Sequence, residues 1–182
     1  MESFINQNML FHSAMGFYEN GISLAKTINK ELGNKSYEIA PVAAVNISFA
    51  TELLLKLLYN LETGKKIRDH KLDMLFLSLS DNTRIEIEKS YDTNRLKSNN
   101  DLFPIKLAFN TENNNPQDKR NDFDIENLSL DNLLKIHSDG FIKWRYAYEI
   151  EEKYYSYEFN FNLMNEFIKA LLSITELKIS KK

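Results

Sequence analysis

Three histidines and five arginines are the side chains with which this chain of 182 residues could move protons or hold phosphate: His12, His70 and His137, and Arg68, Arg84, Arg95, Arg120 and Arg145. An imidazole beside a guanidinium is a minimal metal-free kit for phosphodiester cleavage. The ring handles the hydroxyl or leaving-group proton, and the guanidinium stabilises phosphate charge. Arg68 lies only two residues before His70, so on any helix the two side chains point in different directions, and no histidine follows Arg145. His137 and Arg145 fall on one predicted helix, roughly 80° apart around it and about 12 Å apart along it. They can meet only through a ligand or a second copy of the chain.

Each histidine also has a plainer reading. His137 stands among Leu134, Phe141 and Trp144 and reads as a core histidine with a satisfied ring N–H. His70, near Lys65, Lys66 and Arg68, reads as a helix-start histidine with a local backbone bond or as part of an anion-binding turn. With no cysteine, there is no disulfide, thiolate zinc site or cysteine nucleophile, and the histidines are too widely spaced for a metal motif. No metal and no cofactor are expected.

A second candidate set lies on one helix. Ser48, Glu52 and Lys56 form a narrow polar strip at i, i+4 spacing on an otherwise apolar wheel. Glu52 and Lys56 read as an ion pair. Inside a bundle they could join Arg145 and Glu149, themselves at i, i+4, in a structural polar network or a ligand pocket. Asn46 falls in the apolar arc and needs a buried partner, which the helix carrying Arg145 could supply. Trp144, Tyr146, Tyr148, Tyr154, Tyr155 and Tyr157 read as a docking aromatic core. As stacking platforms for bases near Lys143 and Arg145 they are disfavoured, because Glu149, Glu151, Glu152 and Glu158 are interleaved with them.

The elements that must position these residues are helical, since apolar positions recur at steps of three and four. A first helix is predicted over 3–29, stopped by Gly33 and Asn34. A second, over 39–62, starts near Pro41 and should lie centrally, because Val45, Phe49, Leu53, Leu54, Leu57 and Leu58 cover most of its circumference. Asp69 is placed to cap a short helix and Ser80 or Asp81 another running to about Lys97, both peripheral. Residues 98–127 read as a long Asn-rich loop around the apolar patch 102–109. A fifth helix over 129–149 crosses Gly140, residues 154–161 read as an extended connector, and a last helix covers 162–177. The expectation is one all-α domain over 1–182, an up-and-down bundle of four main helices with short peripheral ones.

Composition narrows the function classes. Lys and Arg number 23 against 26 Asp and Glu, a net charge of −3, so no global cationic field drives phosphate binding and any RNA or nucleotide contact needs a local patch. The N-terminus lacks a signal-peptide pattern and no apolar run approaches about 18 residues, so a soluble, cytoplasmic protein without a membrane segment is expected. The 21 asparagines and 18 lysines beside five arginines fit an AT-rich coding sequence and say little about function.

The string NISFATELLLKLLYNLETGKKIRDHKLDMLFLSL, residues 46–79, followed by FIKWRYAYE at 141–149 and FNLMNEFIKALLSIT at 161–175, resembles the HEPN (higher eukaryotes and prokaryotes nucleotide-binding) domain family. The resemblance implies a helical bundle, commonly a homodimer, found in prokaryotic toxin–antitoxin, abortive-infection and phage-defence systems, often beside a protein partner encoded nearby. Many such proteins are metal-independent ribonucleases marked by an arginine with a histidine four to six residues beyond it. None of the five arginines here has a histidine at that distance. The expected function is therefore a noncatalytic binding or regulatory component, with Asn46, Glu52, Lys56, Arg68, Trp144, Arg145, Tyr148 and Glu149 as its ligand-binding or polar-network residues. The alternatives are a ribonuclease with a rearranged site drawing on His70, His137 and Arg145, and an oligomeric protein-interaction module.

Overall fold

The computed structural model describes residues 6–28, 35–98, 101–102, 104–110, 128–146 and 154–180, and they are mostly helical. Helix α1 (Gln7–Thr27) opens at Asn6, whose side chain accepts the Met9 N–H at 3.0 Å. The predicted stop at Gly33 and Asn34 lies outside the described residues.

Helix α2 (Lys35–Thr63) is the structural axis, packed by α1, α6 (Gly140–Arg145), α7 (Phe161–Ser180) and α3 (Leu72–Leu77). It starts earlier than the expected Ile39, so Pro41 lies inside it. The helical bond Pro41 cannot donate would go to Tyr37, which is exposed near the helix start, where losing it costs least. Ile47, Leu54, Leu55, Leu57 and Leu58 are fully buried. By length and composition α2 could also cross a bilayer, yet 61% of its most apolar window is packed inside the fold. Four neighbouring helices cover most of that window, while Phe49 and Leu53 stay half-buried. Gly21 of α1 makes the close approach between the two longest helices: a Cβ there would sit 2.6 Å from Ile47 Cγ1.

Two expectations are corrected by a pair of strands. The Asn-rich loop contains a strand, β1 (Pro104–Asn110), and the supposed connector is a second strand, β2 (Tyr154–Asn160). They pair antiparallel from Pro104 opposite Asn160 to Asn110 opposite Tyr154, which places buried Ile105 across from buried Phe159. Aromatic alternation near the C-terminus did have a partner, about fifty residues upstream.

The fifth helix is two short ones, α5 (Leu130–His137) and α6, broken at Ser138 and Asp139. In a continuous helix the Ser138 carbonyl would accept from Ile142. It accepts instead from Leu72 N at 3.1 Å, giving the first N–H of α3 its partner, while Ile142 N and Lys143 N both turn to Asp139 O at 3.0 and 2.8 Å.

Helix α3 begins after Lys71, which has no side-chain cap bond; Asp69 stands two residues earlier and accepts the N–H groups of His70 and Lys71. Ser80 caps α4 (Asp81–Lys97) as expected. This helix is not peripheral: it packs along α7 and buries Ile87 and Tyr91, whose hydroxyl donates to Leu128 O at 2.8 Å. The four longest helices are thus α1, α2, α4 and α7, with a two-stranded ribbon feeding directly into α7.

Candidate functional site

The polar strip of α2 faces inward. Ser48 is fully buried and Glu52 is 1% exposed, held there because α6 crosses α2 so closely at Gly140 that a Cβ on that glycine would meet Ser48 Oγ at 2.6 Å. Glu52 Oε1 accepts from Lys56 Nζ at 2.8 Å and lies 2.9 Å from His70 Nδ1. Glu52 Oε2 and Ser48 Oγ are both buried and have no hydrogen-bond partner among the described residues.

The turn between α2 and α3 brings His70 to Glu52. Gly64 adopts a φ of +69°, the left-handed conformation that lets the chain leave α2, and its N–H bonds to Asn60 O at 2.9 Å. Asn60 braces the turn by donating to Lys65 O at 3.0 Å. Asp69 then fixes the approach to α3. Its carboxyl is held below the usual range chiefly by the Lys71 N–H, with burial opposing and the His70 N–H adding to the lowering.

The His70 side chain is 61% exposed, so one ring nitrogen is anchored on a buried carboxylate while the ring itself reaches solvent. A proton on Nδ1, donated to Glu52, leaves Nε2 as an outward acceptor, the arrangement in which a carboxylate orients an imidazole for proton transfer or ligand contact. Lys65, Lys66, Arg68 and Lys71 are exposed in the same turn. Among the described residues, no group of three His, Asp or Glu side chains is placed to hold a metal ion.

The other predicted site residues lie elsewhere. His137 is 3% exposed, stacks on Phe159 at 4.7 Å between ring centroids, and its Nε2 accepts the Asn160 N–H at 3.1 Å. Burial pushes its pKa down to about 3, so it is a neutral core ring, as its plainer reading held. This removes it from any rearranged catalytic pair with Arg145. Trp144 is buried edge-on to Phe159, a core side chain.

Arg145 does not join Glu52. Its guanidinium lies 5.1 Å from the Phe141 ring centroid and 4.8 Å from that of Tyr146, whose hydroxyl accepts from Nη2 at 2.6 Å. The expected network therefore assembles with different members: His70 takes the place given to Arg145. Asn46 is half-buried and faces Gly21 of α1 rather than the helix carrying Arg145, and Arg68 is exposed. Tyr148 and Glu149 lie outside the described residues. The Glu52–His70 bond was missed because the two residues are 18 apart; the signal was a buried acid on α2 followed by a histidine in the next turn. No protein-family model, curated protein or solved structure matches the chain.

Proposed function

We propose that this chain is a HEPN-like, noncatalytic binding or regulatory component that takes a phosphate group of RNA or a nucleotide on the turn from Gly64 to Lys71. One observation carries the reading: an exposed imidazole anchored on a buried carboxylate, within a turn whose Lys65, Lys66, Arg68 and Lys71 side chains reach solvent. Local charge is what an overall anionic protein needs in order to hold phosphate. The family resemblance adds a cytoplasmic setting in a prokaryotic stress or defence system, a homodimer, and a neighbouring protein partner.

A second reading, metal-independent RNA cleavage, is favoured by the same Glu52–His70 bond. There His70 Nε2 would take the 2′-hydroxyl proton as the 2′-oxygen bonds to phosphorus and the bond to the 5′-oxygen breaks. The products would be a 2′,3′-cyclic phosphate and a 5′-hydroxyl, the departing 5′-oxygen taking its proton from water as the bond to phosphorus breaks. Incubating mixed RNA with the protein and a chelator separates the two. Intact RNA that binds, with affinity lost in Arg68→Ala and His70→Ala, supports the binding role. Cleavage abolished by His70→Ala in a folded protein replaces it with the nuclease, and RNA that neither binds nor breaks defeats both.

A further inference from the structure

Every oxygen of an RNA phosphate diester is an acceptor, and so is the atom that a neutral His70 turns outward. Its Nδ1 lies 2.9 Å from Oε1 of buried Glu52, so Nδ1 keeps a proton and the neutral ring presents the Nε2 lone pair to solvent. A lone pair facing a phosphate oxygen is a repulsive contact. With Nδ1 already protonated, a second proton goes to Nε2 and turns it into a charged donor at the exposed end of the ring. Imidazole is the side chain that makes this change between pH 5 and pH 8.

The charged groups around the ring fix what that proton adds. From α2, Glu52 and Lys56 bond to each other at 2.8 Å and offset one another's charge. From the turn, Asp69 accepts the His70 and Lys71 N–H groups, with the charge of Lys71 beside it. Asp73 of α3 accepts from Ser138 Oγ and from Met74 N. Arg68 is exposed two residues earlier. Protonating Nε2 therefore adds one positive charge and one donor where the ring meets solvent, and it leaves the Glu52 bond in place.

We propose that the turn from Gly64 to Lys71 takes phosphate with the His70 ring doubly protonated, so that binding is linked to proton uptake and tightens as the pH falls. This inference rests on the phosphate-binding reading of that turn and adds its regulation: acidification loads the site and alkaline conditions empty it. The sign follows from linkage. The bound state holds more protons than the free one, so affinity falls as the pH rises from where the free ring loses its second proton to where the bound ring does. The nuclease reading demands the opposite, because a ring that accepts the 2′-hydroxyl proton needs Nε2 bare, and its activity grows with pH.

The test follows a fluorescent oligouridylate RNA by anisotropy on the full chain, at constant ionic strength, from pH 8 to pH 5.5. The charge of its diester phosphates and uracil rings is constant over that range, and buried His137, held down to about 3, stays neutral. Affinity should rise about tenfold toward pH 5.5, the effect of one charged hydrogen bond. His70→Gln, at an exposed side chain, keeps an uncharged donor and should bind with an affinity that no longer varies with pH. His12→Gln, at the exposed histidine of α1, should leave the variation intact. Calorimetry at pH 7.5 in two buffers of different ionisation heat should register proton uptake by the parent and none by His70→Gln. Binding that is equal at every pH yet lost in Arg68→Ala overturns the proton linkage and keeps the turn, whereas RNA that binds at no pH overturns both. A pH dependence that survives in His70→Gln overturns the proposal, as does cleavage that grows with pH and vanishes in His70→Gln.

Discussion

Glu52 carries a desolvation cost that its partners offset on one side only, because Lys56 and His70 both bond to Oε1 and Oε2 is left buried without one. A buried acceptor without a partner costs about 1–3 kcal/mol, and replacing a half-satisfied buried ion with a well-packed apolar side chain is often neutral or stabilising. Lys56 and His70 both reach solvent and can be rehydrated when the carboxylate goes, so they would not become stranded charges. Glu52→Met should accordingly leave stability within about 1 kcal/mol of the parent, a thermal shift of roughly 2–4 °C at this size. RNA affinity should fall in the same variant, because His70 loses its anchor. A large drop in the melting midpoint with unchanged RNA affinity would make the cluster a structural brace instead.

Gly140 shows what the elements ask of one another. As a helical glycine it forgoes about 1 kcal/mol of helix propensity relative to alanine, yet a Cβ there would meet Ser48 Oγ at 2.6 Å. Gly140→Ala should therefore destabilise by about 1–3 kcal/mol through overpacking. Ser48→Ala removes the clashing atom together with a buried hydroxyl that has no partner, so it should cost little alone and restore most of the loss in the double variant. Denaturant unfolding of the four proteins measures the coupling, and additive effects would show that the α2–α6 crossing yields in another way. Local signals in the sequence were the legible ones: Ser80 as a cap, the apolar wheel of α2, the core setting of His137. What was not legible depends on partners far along the chain. The 154–160 alternation is a strand because residues 104–110 pair with it, and α5 ends at His137 because the Ser138 carbonyl is drawn to Leu72. His70 likewise acquires its candidate role only when the turn folds it onto Glu52, a contact that no spacing rule along one helix contains.

At the scale of the whole molecule, two polar locks, one at half-buried Glu62 and one at buried His137, tie the ends of helices together, and both make stability depend on pH. Glu62 near the end of α2 accepts from Ser80 N and Oγ at 3.0 and 2.8 Å, from Thr83 Oγ1 at 2.5 Å and from Lys178 Nζ at 3.2 Å, joining α2 to α4 and α7. Burial alone would push its carboxyl up, but those bonds outweigh it and hold it below 4.5. His137 joins α5 to the β2–α7 junction and is held down to about 3 from 6.5 by burial. Both groups bind protons more readily in the unfolded chain, so stability is complete above the unfolded pKa values and declines as the pH falls, His137 acting first, from about 6.5 downward. By pH 5 the His137 term amounts to about 2 kcal/mol, at 1.36 kcal/mol per pH unit, whereas Glu62 contributes its loss only below about 4.5. Urea unfolding between pH 7 and pH 3.5 should separate them. His137→Phe should flatten the slope from pH 7 to pH 5, at a cost of about 1–3 kcal/mol at neutral pH for leaving the Asn160 N–H without an acceptor. Glu62→Gln should leave that slope intact and flatten only the acid end. A His137 ring that titrates near 6.5 by NMR, or a His137→Phe slope equal to the parent's, would remove the first term and place the early acid loss in some other group.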